Sequence, residues 1–281
     1  TLRVQNPVRA LFAIALRNQI WITPDMLNFS TSPTWYKVAG NTPNTPTSIK
    51  FSEDGKSLLI GGTSSFSPGS GEVYRIDGIR EATYSDNVVD GSESFADANG
   101  IESKQVGSFD GTVSSATFDQ NDKDRMIVTT GSYGLDNHVY YTDNAMADNP
   151  SFRALDAGSG DNSLPEMPVY DAMFKLDENN QVIIGSEMGT WFYDLDQETQ
   201  GWTEVNNGMP RVPTLTLQQY VSGNEYKAFA GTYGRGIFGI AGQKVGTPDK
   251  LSNNDQGYEP SISAYPNPAN SYTNLEIDLK E

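Results

Sequence analysis

Apolar residues recur along this chain in short runs that end at small residues and turn-forming clusters, a strand pattern rather than a helical one. Five stretches share one layout: Phe12–Thr23, Leu58–Asp77, Met126–Asp143, Val182–Asp196 and Ala228–Ile240. In each, an apolar strand ends in a small residue, turns, and returns as a second apolar or aromatic strand. The small residues Ala15, Gly62, Gly131, Gly185 and Gly231 mark equivalent places, 47, 69, 54 and 46 residues apart. The longer intervals contain extra polar chain, chiefly between Ile79 and Gly107, with extended turns at Phe66–Ser70 and Gly134–Asn137. A strand also precedes each later anchor and closes at a polar turn: Thr47–Phe51, Val113–Phe118, Val169–Leu176 and Thr214–Tyr220. Aromatic-led segments follow the second strand at Trp35–Val38, Phe152–Leu155 and Trp202–Val205. The Val8–Leu16 run reads as a buried strand leading into Gln19–Thr23 rather than a signal peptide, because no small-residue cleavage site follows it.

A repeating four-strand unit of about 45 residues is the size of one β-propeller blade. The expected fold is therefore all-β: a propeller of four-stranded blades over residues 1–241, with about five blades present and the last lacking its fourth strand. An open arc of five would leave unpaired sheet edges. The expectation is that the chain is a fragment of seven or eight blades, with the others upstream of Thr1. A closed five-bladed ring is the alternative.

Composition agrees with many short strands and tight turns: of 281 residues, Gly supplies 27, Pro 15, Tyr 14 and Phe 12. No cysteine occurs, which removes disulfides, thiolate catalysis and Cys-ligated zinc. Stability must come from the core. Asp and Glu total 36 against 19 Lys and Arg, a formal charge of −17. Such a surface repels nucleic-acid backbones and anionic lipid, so neither is an expected partner. No run approaches the ~18 apolar residues that span a bilayer.

Residues 242–260 are polar and rich in turn formers, the composition of a tether. After them, residues 261–281 contain Tyr265, Pro266, Asn267, Pro268 and Ala269, then Leu275, Ile277 and Leu279 in alternation. The two prolines fix a rigid turn and the alternation buries one face of a small sheet. This segment resembles the start of the immunoglobulin-like C-terminal sorting domain of type IX secretion substrates. The resemblance covers about 21 residues, and the family's distal glycine-rich and terminal basic motifs do not occur in them. It implies export targeting by Tyr265–Ala269, partners among the type IX translocon and shuttle components, and an extracellular or outer-membrane-surface location in a Gram-negative bacterium.

A second resemblance lies at Ala230–Phe238, AGTYGRGIF, with Trp202 and Asn207–Pro210 upstream. It is similar to the closing blade of sialidase-repeat and xyloglucanase-like propellers. Gly234 and Gly236 there suit positive φ, and Arg235 is expected to tie neighbouring strands. Thr23-Pro24-Asp25 with Trp35 resembles the fold-stabilising Asp-box turn of the same propellers, from which Ser52–Gly55 and Thr142-Asp143 depart.

Chemistry is sparse. The single histidine, His138, reads as a surface-loop or satisfied turn residue, and a histidine-based zinc site is excluded. Asp119, Asn121, Asp122 and Asp124 form an oxygen-rich loop that calcium could use, but it lacks an EF-hand's glycine and final glutamate. Asp171, Asp177 and Glu178 are similar. A solvated turn is the preferred reading, so no cofactor is expected, with calcium the exception to test. Glycosidase chemistry needs two carboxylates at a set separation, which sequence cannot place, so no catalytic residue is assigned. The preferred function is a non-catalytic adhesion or binding module for glycans or surface proteins. A propeller glycoside hydrolase and a secretion cargo of unknown passenger function are the alternatives.

Overall fold

The computed structural model describes residues 11–28, 30, 32–64, 66–67, 69–84, 93–157, 162–176, 180–206, 208–222, 225–243, 262–265 and 274–277. Successive antiparallel sheets follow the repeat. Blade I holds β1 (Phe12–Leu16), β2 (Gln19–Thr23) and β3 (Tyr36–Ala39). Blade II holds β4 (Thr45–Phe51), β5 (Ser57–Thr63), β6 (Ser70–Asp77) and β7 (Glu102–Asp110). Blade III holds β8 (Val113–Phe118), β9 (Met126–Thr130), β10 (Val139–Thr142) and β11 (Arg153–Ala154). Blade IV holds β12 (Val169–Phe174), β13 (Gln181–Ser186), β14 (Gly189–Asp194) and β15 (Thr203–Glu204). Blade V holds β16 (Thr214–Ser222), β17 (Glu225–Thr232) and β18 (Gly236–Gln243). The first strand of each later blade packs on the first strand of the next, β4 on β8, β8 on β12 and β12 on β16, which sets these strands around a common hub. The fold is the expected all-β propeller.

Two expectations change. The polar stretch after Ile79 is not all insertion: it carries helix α1 (Glu93–Ala98) and the outer strand β7. An outermost strand buries only part of itself, so Glu102, Ser103 and Gln105 face solvent while Val106 and Phe109 are covered. Its polar majority hid it. Phe95 of α1 is buried, with its ring 4.7 Å from Tyr36 and 5.4 Å from Tyr84. The Val8–Leu16 run is not a buried strand: β1 begins at Phe12, and Phe12 and Leu16 are exposed. Leu11, Ala13 and Ala15, on its other face, are partly buried against the core cluster of seam I/II. Val8 to Ala10 lie outside the described residues.

Each of β4, β8, β12 and β16 carries a bulge near its start, at Pro46/Ser48, Val113/Ser115, Val169/Asp171 and Thr214/Thr216. A bulge kinks the strand and redirects its side chains. The skipped residues Thr47 and Ser114 use the kink to reach the next blade. Thr47 Oγ1 donates to the Val113 carbonyl, and Ser114 Oγ donates to the Val169 carbonyl at 2.5 Å. The glycines opposite the residue after the bulge, Gly61 and Gly185, make room for this approach. A Cβ on Gly185 would lie 2.7 Å from the Thr214 carbonyl oxygen, and one on Gly61 would lie 2.5 Å from Val113 Cγ1.

Apolar side chains fill the seams between blades. Ile20, Ile22, Leu58, Ile60 and Ile76 close seam I/II. Leu59, Val73, Val113, Phe118 and Met126 close II/III, and Ile127, Val169, Phe174, Val182 and Ile184 close III/IV. The outer aromatics act as anchors, as Trp202 shows: it is buried and its indole N–H donates to the Leu155 carbonyl at 3.1 Å.

Strand β18 runs to Gln243, past the expected propeller boundary at 241. The remainder of the expected tether, residues 244–260, lies outside the described residues. Beyond it, β19 (Ile262–Tyr265) and β20 (Asn274–Ile277) pair antiparallel, with Tyr265 opposite Asn274.

Candidate functional site

The bulges aim one polar residue per blade at the hub: Ser48, Ser115, Asp171 and Thr216, each just after its bulge. Asp171 is the centre of this group. Its Oδ1 accepts Lys50 Nζ at 2.7 Å, Ser115 Oγ at 2.7 Å and its neighbour's Ala172 N–H at 2.9 Å. Its Oδ2 accepts the Leu217 N–H at 2.8 Å, with Thr216 Oγ1 at 3.5 Å. One buried carboxylate thus joins blades II, III, IV and V. Ser48 Oγ repeats the theme by accepting the Ala116 N–H at 3.1 Å. Both oxygens of Asp171 accept hydrogen bonds from the protein, so the hub acts as a structural clasp between blades.

The turns joining β5 to β6, β9 to β10, β13 to β14 and β17 to β18 all leave the blades at the end of the hub where the first strands begin. Their tips carry large apolar side chains that the fold does not use. Phe66, Tyr133 and Tyr233 are 81%, 70% and 72% exposed, and Met188 is exposed beside them in sequence order. Gly234 and Gly236, at φ 74° and 83°, form the expected positive-φ turn that lifts Tyr233. Within this rim, Tyr170, the bulge residue of β12, donates its hydroxyl to Glu187 Oε2. Tyr133 also hydrogen-bonds to Glu187 and Tyr170. Burial and the Glu187 carboxylate push the Tyr170 hydroxyl far above the ordinary phenol range, and Tyr133 moves the same way. Both phenols therefore stay protonated and donate, with Glu187 as an acceptor. The rim combines exposed aromatic faces with a small, ordered hydrogen-bonding centre.

Residues singled out from sequence are placed as follows. Arg235 is exposed at its turn tip and makes no hydrogen bond or ion pair with a described residue, so it does not tie strands. Thr232 Oγ1 closes that turn instead, donating to the Gly236 carbonyl at 2.8 Å. His138 is not on a surface loop but is the satisfied turn residue of the other reading, buried within its turn. Its Nε2 meets the Ser132 carbonyl at 3.1 Å, its backbone N–H donates to Asp156 Oδ2 at 2.5 Å, and its Nδ1 lies 3.8 Å from the same oxygen. It braces the chain that presents Tyr133. Burial, against three backbone hydrogen bonds, raises the Asp156 carboxyl above its ordinary range.

Asp119 turns inward, with Oδ2 3.1 Å from Arg125 Nη1 and Oδ1 accepting the Asn121 N–H at 2.9 Å. Burial holds its carboxyl above the ordinary range despite Arg125. Asp122 Oδ1 accepts the Asp124 N–H at 3.0 Å. The loop is thus held by its own turns, and no group of three acidic or histidine side chains able to hold a metal occurs among the described residues. Asp177 and Glu178 lie outside the described residues, as do Pro266, Asn267, Pro268 and Ala269. Tyr265 ends β19.

In the Thr23–Asp25 turn, Asp25 donates its N–H to Thr23 Oγ1 at 3.2 Å. The Thr142 turn has the same plan with Asn144 in the aspartate's place: Thr142 Oγ1 donates to Asn144 Oδ1 at 2.6 Å, which also accepts the Ser151 N–H at 3.0 Å.

Sequence reading singled out Asp171 only as a cation-loop candidate and missed both its role in the hub and the rim. The hub's one visible signal is a Ser, Asp or Thr at the same place in four strands.

No family model matches this chain, and no curated protein matches it either. Solved structures do. An ancestral GH74 enzyme superposes with a TM-score of 0.51 at 12% identity, over 92% of this chain and 32% of that one. A puromycin hydrolase gives 0.44 at 11% identity over 91% and 40%, and the GH74 xyloglucanase from Xanthomonas campestris gives 0.45 at 11% over 84% and 37%. The chain spans two fifths or less of the length of each of these three chains. At such identity the first likeness bears on fold alone, and the fold it shares is the β-propeller.

Proposed function

We propose that this chain is an exported propeller that binds glycans at its turn rim without hydrolysing them. The observation that carries this is the placement of Phe66, Tyr133, Met188 and Tyr233 at the tips of equivalent turns on blades II to V, all exposed. Folding does not call for them, and rigid strand pairs hold them. Aromatic faces stack on the apolar faces of sugar rings, while Glu187, Tyr170 and Tyr133 offer acceptor and donor groups to hydroxyls. The clasp at Asp171 fixes the blades relative to one another, so the rim is pre-organised.

Export is the second part of the reading. The Tyr265–Ala269 motif falls between two strands that pair with each other, which supports a sorting-domain start and delivery to the extracellular face or outer-membrane surface. No helix among the described residues is long and apolar enough to cross a membrane.

A panel of soluble oligosaccharides tests the binding reading by calorimetry. Tyr133→Ala and Tyr233→Ala should each weaken the best ligand tenfold or more (about 1.4 kcal/mol) while leaving the thermal midpoint unchanged. Absence of binding across the panel, or binding indifferent to both substitutions, removes this reading. The hydrolase alternative draws on the Tyr170–Glu187 pair. Product release that Glu187→Gln abolishes would replace binding with catalysis.

A further inference from the structure

The blade repeat predicts what should fill each seam, and seam IV/V departs from it. Counting from the residue after each bulge, the strand pairs place Phe51 opposite Leu58, Phe118 opposite Met126 and Phe174 opposite Val182. At the same register blade V has Gln219 opposite Ala228. Two residues further along the second strand, Ile60, Val128 and Ile184 give way to Ala230. Three large apolar side chains that close each earlier seam are therefore replaced by an amide and two methyl groups.

The space they would fill is present. A cavity of about 340 Å³ lies between the two sheets, lined by Met173 and Phe192 of blade IV, by Met209 and by Leu217, Tyr226 and Phe238 of blade V, with Ala228 and Ala230 in its wall. Interiors are otherwise close-packed, and this mainly apolar cleft is partly open to solvent, so a small apolar molecule can enter it. The seam does not close by sliding the blades together, because Gln219 clamps them. Its Nε2 donates to the Phe174 carbonyl, and its Oε1 accepts the Leu176 N–H at 3.0 Å. The Tyr226 hydroxyl donates to the same Oε1 at 3.4 Å. The one charged group among the described lining residues, Lys175, donates to Gln181 Oε1 at 2.9 Å.

We propose that seam IV/V is a binding site for a small, uncharged, ring-containing apolar molecule, separate from the rim. Two sheets facing each other bound a flat slot, and a flat ring fits between them better than a branched chain. The aromatic and thioether side chains of the lining favour π-rich ligands. Its volume lies within the usual range for small-molecule pockets. Thr190 and Asn206 in the lining already bond to each other and to backbone, with Asn206 Oδ1 accepting the Thr190 N–H at 2.8 Å, so they impose no polar requirement.

The test titrates the full chain with N-phenyl-1-naphthylamine, a neutral apolar fluorophore. A saturable one-to-one emission rise is expected, together with a higher thermal midpoint at saturation. Ala230→Ile restores the side chain that the repeat calls for, and should weaken binding at least tenfold. Ala228→Val is a smaller filling change for use if the first variant does not melt cooperatively. Tyr133→Ala should bind the probe as the native chain does. No saturable rise and no midpoint shift in the native protein would overturn the proposal. So would an equal rise in a cooperatively folded filled variant, which would place the probe elsewhere.

Discussion

The Lys50 ammonium lies 2.7 Å from an Asp171 carboxylate oxygen, although the two residues are 121 positions apart and sit on blades II and IV. The contact exists because two bulged strands turn one face to the hub, Asp171 directly after its bulge and Lys50 two residues beyond Ser48. Asp171 accepts from five donors there, and two of them are backbone N–H groups of its own and the next blade.

Removing the carboxylate should therefore cost more than removing the cation. Asp171→Ala leaves Lys50, Ser115 and the Leu217 N–H without their acceptor, and the loss of a buried charge partner costs about 3–5 kcal/mol. Lys50 is 27% exposed, which weakens its share. Lys50→Met leaves the other donors in place and should cost less than half as much. Urea unfolding of the two variants gives the comparison, and equal losses would show that the ion pair alone holds the hub.

The anchors test the close approach of neighbouring blades. Gly185→Ala places a methyl group 2.7 Å from the Thr214 backbone oxygen, which cannot rotate away. Overpacking of this kind costs about 1–3 kcal/mol. At Gly131 the nearest atom is Ser114 Cβ at 3.3 Å, so Gly131→Ala should cost distinctly less. Thermal midpoints of the pair decide whether approach distance controls tolerance at these two glycines near the ends of second strands.

Asp156 predicts a pH dependence. Its carboxyl is raised above the ordinary value of 3.8, chiefly by burial, so the folded protein holds a proton there that the unfolded chain releases. Where the folded state binds more protons, stability falls as pH rises. The native chain should lose this contribution between the ordinary aspartate range and the raised value. Asp156→Asn keeps an acceptor for only one of the His138 and Val139 N–H groups, so it should be less stable at all pH. The difference between native and variant should shrink as pH climbs through that window. A constant difference from pH 4 to pH 7 would rule out titration at Asp156.

Much of the architecture could be read in the chain because strands report themselves locally. The anchors Gly62, Gly131, Gly185 and Gly231 each close a second strand, and the strands expected around them agree with the observed ones to within a few residues. Strand β7 escaped because only its second half is covered, at Val106 and Phe109, so no sustained alternation marks it. His138 was legible only as far as two readings, surface loop or satisfied turn, because polar neighbours along the chain suit both. The structure selects the second, with the His138 backbone N–H donating to Asp156 and the ring meeting the Ser132 carbonyl in the interior.

By itself the sequence determined the repeat, the strand order within blades and the turn chemistry, since period-two burial and glycine turns depend on neighbours along the chain. Tertiary structure alone decided which polar residues meet. Asp171 joins Lys50, Ser115 and Leu217, and Tyr170 meets Glu187, because the bulges and the curvature of the arc converge on points that no spacing encodes. The seam cavity lies between these cases. Ala228, Ala230 and Gln219 are visible in the chain, but only the pairing register shows that they stand where Val182, Ile184 and Phe174 stand one blade earlier. A space between two sheets is a property of both.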